Sequence, residues 1–173
     1  VPMGELVNYP FPAANLPILR AVALPTEYLI TGEEEDEGLF LQRLERALVE
    51  ERARLVQLRA KQLDEAAYLA RAEATLALCR EHGARLLLNG EPELLERVDA
   101  DGVHLTSERL MHLERRPIAE GKWLSASTHD RAQLDQAGRL GCDFVTLSPL
   151  RTTPSHPEVA PMGWHDFQQL VER

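Results

Sequence analysis

The stretch Leu55–Lys61 sets Gln57, Arg59 and Lys61 in alternation with Val56, Leu58 and Ala60. A strand's period of two would turn the apolar set toward surrounding helices and line a barrel interior with the polar set, rising to its C-terminal mouth. Two cations on one face of a buried strand need carboxylates, solvent or an anionic ligand, because an unpaired buried charge is costly. Pairing with acids inside the barrel is one solution. A phosphate or diphosphate site is the better one, since guanidinium and ammonium groups bind phosphate oxygens strongly. Farther along, Asn89-Gly90 and Asp101-Gly-Val-His104-Leu-Thr106 put polar groups where strands should end. His104 is either a satisfied core histidine or a catalyst. Ser125 and Ser127 share one face of Trp-Leu-Ser-Ala-Ser-Thr, and alone they say little. The loop Leu147–His156 gathers Arg151, Thr152, Thr153, Ser155 and His156 together with two prolines, Pro149 and Pro154. It either closes stiffly over an anionic ligand or is an exposed turn.

The elements that must position these residues are legible as alternation. β-rich runs are expected at Tyr28–Thr31, Arg54–Lys61, Arg85–Asn89, Gly102–Thr106, Trp123–Thr128 and Phe144–Ser148. Helical patterns are expected at Ile18–Leu24, Leu39–Glu51, Leu63–His82, Glu93–Val98, Ser107–Arg115, Asp130–Leu140 and Trp164–Val171. Gly83 stops the long one, Ser107 is read as an N-cap, and Thr128 or Asp130 caps the helix after the fifth strand. Strand followed by helix without hairpin signals means parallel strands joined by right-handed crossovers. At roughly 24 residues per unit, about six βα units fit, the compact end of a (β/α)₈ barrel. An open doubly wound sheet would want a Gly-rich turn after the first strand. Here Thr31-Gly32 runs into Glu33–Glu37, which would repel a phosphate and reads as a solvated loop with acids near a helix N-terminus.

Composition narrows the function classes. Of 173 residues, 44% are hydrophobic and 27% charged, enough for a real core. A formal charge of −9 argues against an extended nucleic-acid footprint. Two cysteines, Cys79 and Cys142, fit a reducing compartment, so a cytoplasmic location is expected. No apolar run is long enough to span a membrane, and the start lacks the order of a signal peptide. The first residues, from Val1 to Pro25, are punctuated by prolines and too short for a core of their own.

Taken together, Gln57-Leu-Arg59-Ala-Lys61, Asn89, Asp101-Gly-Val-His-Leu105, the Ser-Ala-Ser-Thr-His run and Asp143-Phe-Val-Thr-Leu-Ser-Pro-Leu-Arg-Thr-Thr-Pro-Ser-His156 resemble thiamine phosphate synthase and its thiazole tautomerase relatives in order and spacing. The resemblance implies a (β/α)₈ TIM barrel from about residue 26 to 173. It also implies a synthase that joins a hydroxymethylpyrimidine diphosphate to a thiazole phosphate, with Mg²⁺ helping the diphosphate leave. By the same resemblance, Gln57, Arg59, Lys61 and Asn89 would contact the pyrimidine diphosphate, and Ser127 would lie near the reacting groups. Thr153 and Ser155 would hold the thiazole phosphate, and His156 would stand where the synthase has a diphosphate-binding lysine. Two departures fall on the magnesium-binding aspartates, which are Gly90 and Arg109 here; neither is the hard oxygen ligand that Mg²⁺ needs. No metal site is therefore expected in this chain, although the family uses Mg²⁺. The tautomerase's loop histidine is replaced by Pro149.

Residues 1–25 have a separate resemblance. Glu5-Leu-Val-Asn-Tyr-Pro-Phe-Pro-Ala-Ala-Asn15-Leu-Pro-Ile18 is similar to the C-terminal tail of MutT-like Nudix hydrolases, which act on oxidised guanine nucleotides. That would make Asn15 a guanine-base contact, a job suited to a side chain with donor and acceptor. The implied organisation is a Nudix tail and linker at 1–25, then a synthase-like barrel at 26–173 short by two βα units, roughly 50 residues. The first and sixth strands would then have open edges. Expected partners are small phosphorylated metabolites and an N-terminal Nudix domain, with a homo-oligomer left open and neither nucleic-acid polymer nor membrane. Three functions stand: an enzyme of thiamine metabolism, a noncatalytic phosphate-ligand or regulatory module of a Nudix hydrolase, and an inactive fragment.

Overall fold

The computed structural model describes residues 16–152 and 160–172. Its strands are β1 (Leu29–Ile30), β2 (Leu55–Leu58), β3 (Arg85–Asn89), β4 (Gly102–Leu105), β5 (Trp123–Thr128) and β6 (Phe144–Leu147). Its helices are α1 (Leu16–Ala23), α2 (Glu37–Val49), α3 (Glu65–Glu81), α4 (Ser107–His112), α5 (Arg131–Arg139) and α6 (Gly163–Val171). The strands form one parallel sheet in sequential order, β1 to β6, so β1 and β6 are its edges. The sheet is curled into a half-barrel: the Tyr28 ring, just before β1, meets the Phe144 ring of β6 edge-on at 5.0 Å.

Alternation along the strands builds two cores. Val56, Leu58, Leu86, Leu88, Val103, Leu105, Leu124 and Ala126 face the helices and pack with Phe40, Leu44, Leu48, Leu69 and Leu76. On the inner face, Leu55, Leu87 and Trp123 make a smaller cluster with Leu24, Tyr28 and Phe144. The N-terminal end of this inner layer is covered from α1. Arg20 pairs with the buried Asp143 at 2.5 Å and also reaches the carbonyls of Glu120 and Lys122. The Arg20 and Arg85 guanidinium groups lie 5.7 and 4.9 Å from the Trp123 ring centre, close enough for cation–π attraction. Gly102 is required where β4 and β5 come closest, since a Cβ there would stand 1.9 Å from the Trp123 carbonyl oxygen.

Several expected elements shift. β2 stops at Leu58 instead of continuing to Lys61, because Ala60–Leu63 makes a turn and Asp64 then caps α3 by accepting from the Ala67 N–H at 2.8 Å. Alternation therefore cannot be carried past Leu58. The segment after β3 is a 3-10 helix at Pro92–Glu96, started by a proline at its first position, rather than a helix at Glu93–Val98. Thr106, not Ser107, caps α4: its backbone is extended, and its hydroxyl accepts from the Arg109 N–H at 3.3 Å. Asp130 caps α5 by accepting from the Gln133 N–H.

No helix among the described residues is long and apolar enough to cross a membrane.

Candidate functional site

Above the inner apolar cluster the side chains turn polar while remaining buried or half-buried. Gln57 on β2 is 2% exposed and donates through Nε2 to the Tyr28 hydroxyl at 3.0 Å. That hydroxyl is 3.2 Å from His104 Nδ1, which also lies 2.8 Å from Ser125 Oγ. His104 Nε2 is 2.9 Å from Ser127 Oγ. A neutral ring satisfies this network if Nε2–H donates to Ser127 and Nδ1 accepts from the hydroxyls. The β-ladder explains the convergence, because His104 sits opposite Ser125 on β5 and opposite Asn89 on β3.

Burial holds the ring neutral, lowering the His104 pKa to about 4. It also pushes the Tyr28 phenol well above its ordinary range, against the opposing effect of its hydrogen bonds. The floor of the half-barrel is therefore an uncharged set of donors and acceptors at neutral pH.

Charge enters at the rim. Arg59 follows β2 and is fixed by Thr31, whose hydroxyl accepts from the Arg59 N–H at 2.9 Å and donates to its carbonyl at 3.1 Å. Its guanidinium is 3.2 Å from Glu33. Glu33 belongs to the acidic run, four of whose five side chains make specific contacts. Glu34 pairs with Arg43, Asp36 caps α2, and Glu37 pairs at 2.6 Å with Arg71, whose side chain is 3% exposed and lies over Phe40. Tyr68 on α3 ties the ends of β2 and β3 by its hydroxyl, 3.2 Å from the Leu58 carbonyl and 3.4 Å from that of Asn89. Asn89 itself is half-buried, with Nδ2 3.5 Å from the His104 carbonyl.

Lys61 is exposed and lines a cavity of about 800 Å³ between the loops after β2, β3 and β4, together with Asn89, Gly90, Glu91, Thr106 and Arg109. The expectation that Lys61 continues the inward face of β2 is corrected by the turn at Ala60. Gly90 offers no side chain, and Arg109 is held on Glu91 at 2.5 Å. Among the described residues no group of three or more His, Cys, Asp or Glu side chains is arranged to hold a metal ion.

The structure thus brings Gln57 and Ser127 into one network, places Arg59 and Asn89 at the strand ends near it, and sets Lys61 on a cavity that Asn89 also lines. Asn15, Thr153, Ser155 and His156 lie outside the described residues. Sequence reasoning left Tyr28 unassigned, and it left His104 and Ser125 without a common role. The available signal was register: Tyr28 lies an even number of residues before Ile30, on the inward face. Pro149 is half-buried after β6, and His129 Nδ1 lies 2.6 Å from the Ser148 carbonyl.

A family model described as thiamine monophosphate synthase matches residues 27–173. A protein named putative thiamine-phosphate synthase 2 from Aquifex aeolicus is 33% identical over 150 residues, covering 87% of this chain and 80% of that one. A thiamine-phosphate synthase from Prochlorococcus marinus is 38% identical over 110 residues; there the match covers 63% of this chain and 31% of the relative. The chain thus spans most of the first protein and about a third of the second. Among solved structures, thiamine phosphate pyrophosphorylase from Pyrococcus furiosus superposes with a TM-score of 0.65 at 23% identity, over 84% of this chain and 68% of that chain. This is a likeness of fold.

Proposed function

The chain belongs to the thiamine monophosphate synthase family, and from that premise we propose that its half-barrel mouth binds phosphorylated thiamine precursors. One observation carries the reading: an uncharged network on the inner face, with Gln57, His104 and Ser125 buried and Tyr28 and Ser127 half-buried, lies at the strand ends that Arg59 and Asn89 rim. A pyrimidine diphosphate has the matching halves, a neutral heterocycle with ring nitrogens and a polyanionic tail. Gln57 would offer its amide to the ring. Ser127 would keep or yield its hydrogen bond with His104 as the ligand enters, and Arg59 would exchange Glu33 for a phosphate oxygen. The sequential strand order and the superposition at TM-score 0.65 support reading β1–β6 as six units of a (β/α)₈ barrel.

The family resemblance implies magnesium at the positions of Gly90 and Arg109. Gly90 supplies no ligand atom, and Arg109 is a cation already held by a carboxylate. This donor set does not fit Mg²⁺, whose octahedral shell takes oxygen ligands. That misfit favours a second reading, a phosphate-ligand or regulatory module without turnover. The two separate in one experiment: the purified chain is incubated with hydroxymethylpyrimidine diphosphate and thiazole phosphate, with and without Mg²⁺, and thiamine phosphate is measured. Turnover abolished by Lys61→Ala supports the transferase. Saturable binding of either precursor without product supports the module. The Nudix reading of residues 1–25 rests on the motif around Asn15 alone. Its test is whether the protein in its native length hydrolyses 8-oxo-dGTP and loses that activity on Asn15→Ala.

A further inference from the structure

The cavity of about 800 Å³ at the strand ends holds, beside Lys61 and Asn89, an ion pair to which the family reading gives no role. Arg109 engages a single carboxylate oxygen of Glu91 twice, through Nε at 2.6 Å and Nη2 at 2.5 Å. The two side chains are 35% and 59% exposed, so the pair is open to exchange. Two donors of a guanidinium aimed at one oxygen are equally a geometry for a phosphate oxygen. Of the other charged groups on the lining, Glu65 is neutralised by Arg97 at 2.6 Å. Lys61 and Glu108 have no ion-pair partner among the described residues. As the site stands, its one unpaired cation is balanced by one unpaired carboxylate. If the exposed Glu91 carboxylate swings out to solvent, Arg109 becomes a second free cation on the cavity that Lys61 lines.

We propose that Arg109 binds a phosphate group of a diphosphate-bearing ligand in this cavity without a metal ion, and that Glu91 is the built-in competitor the ligand must displace. The inference rests on the reading that the mouth takes phosphorylated ligands. It assigns Arg109 a binding role and makes Glu91 a specificity residue, because only a ligand with enough negative charge offsets the loss of the internal pair.

The test is calorimetric titration of inorganic pyrophosphate, in EDTA, into the full chain and into variants whose folding is checked by circular dichroism. Arg109→Gln weakens binding by at least about tenfold, the scale of a lost charge-assisted contact. Glu91→Gln tightens it about two- to fivefold, the scale of an exposed pair removed from competition. Glu91→Gln brings no gain when Arg109→Gln is already present. An unchanged or weakened affinity for Glu91→Gln, or a gain that persists without Arg109, overturns the competitor role. Arg109→Gln without effect, while Lys61→Gln weakens binding, overturns the assignment of Arg109 and leaves the family reading standing. Absence of saturable binding in the wild type and in Glu91→Gln alike overturns both.

Discussion

Replacing His104 by glutamine removes a base that folding holds neutral. The ring is 2% exposed, and burial lowers its pKa from 6.5 to about 4. Below pH 6.5 the unfolded chain takes up a proton at this position and the native chain does not. Stability therefore rises with pH across the window from about 4 to 6.5, and is lost as pH falls through it. The slope approaches about 1.4 kcal/mol per pH unit, and integration between pH 7 and pH 5 gives about 2 kcal/mol. Urea unfolding followed by tryptophan fluorescence at those two pH values checks it. The wild type should lose about 2 kcal/mol more than His104→Gln on going to pH 5, because the remaining histidines and the carboxylates titrate alike in both proteins and cancel. The variant should also be the less stable of the two at pH 7, since it disturbs the contacts with Ser125 and Ser127. Equal losses in the two proteins would refute the burial argument and reopen His104 as a titrating group near neutrality.

Other substitutions test the scaffold. Gly102→Ala forces a Cβ to within 1.9 Å of the Trp123 carbonyl oxygen, and urea unfolding should show a loss of at least about 2 kcal/mol. Arg20→Ala removes one of the two arginines on Asp143 and one of the two over Trp123; a loss of about 1 kcal/mol with a shifted Trp123 emission is expected, Arg116 and Arg85 retaining the rest. Cys79 is fully buried and its thiol is pushed up to about 12, so a thiol reagent should leave it unmodified in the native protein and react after urea is added. Cys142 is half-buried with its thiol raised to about 11, and should react before Cys79 in the native state.

The alternation of strands and helices was legible because a buried parallel sheet imposes both periods strongly. Val56, Gln57 and Leu58 face the sides that a period of two assigns them. The same pattern misled beyond Leu58, where a turn and the Asp64 cap end the strand. Alternation in composition, as at Ala60 and Lys61, does not reveal where backbone pairing stops. The acidic run reads as a solvated loop near a helix start, and it is largely exposed with Asp36 capping α2. What the chain does not mark locally is that Glu33, Glu34 and Glu37 each hold a particular arginine, across 26, 9 and 34 residues. His104 was ambiguous for the same reason. Its partners come from β5 and from Tyr28, and only the sheet register brings them together.

The most direct test of the proposed mouth is titration of hydroxymethylpyrimidine diphosphate into the wild-type chain and into a Gln57→Leu, Arg59→Gln pair of single variants. The account predicts saturable binding by the wild type, weakened at least about tenfold by either substitution, since each removes a buried or charge-assisted hydrogen bond to one half of the ligand. Absence of saturable binding, or binding indifferent to both substitutions, would contradict it.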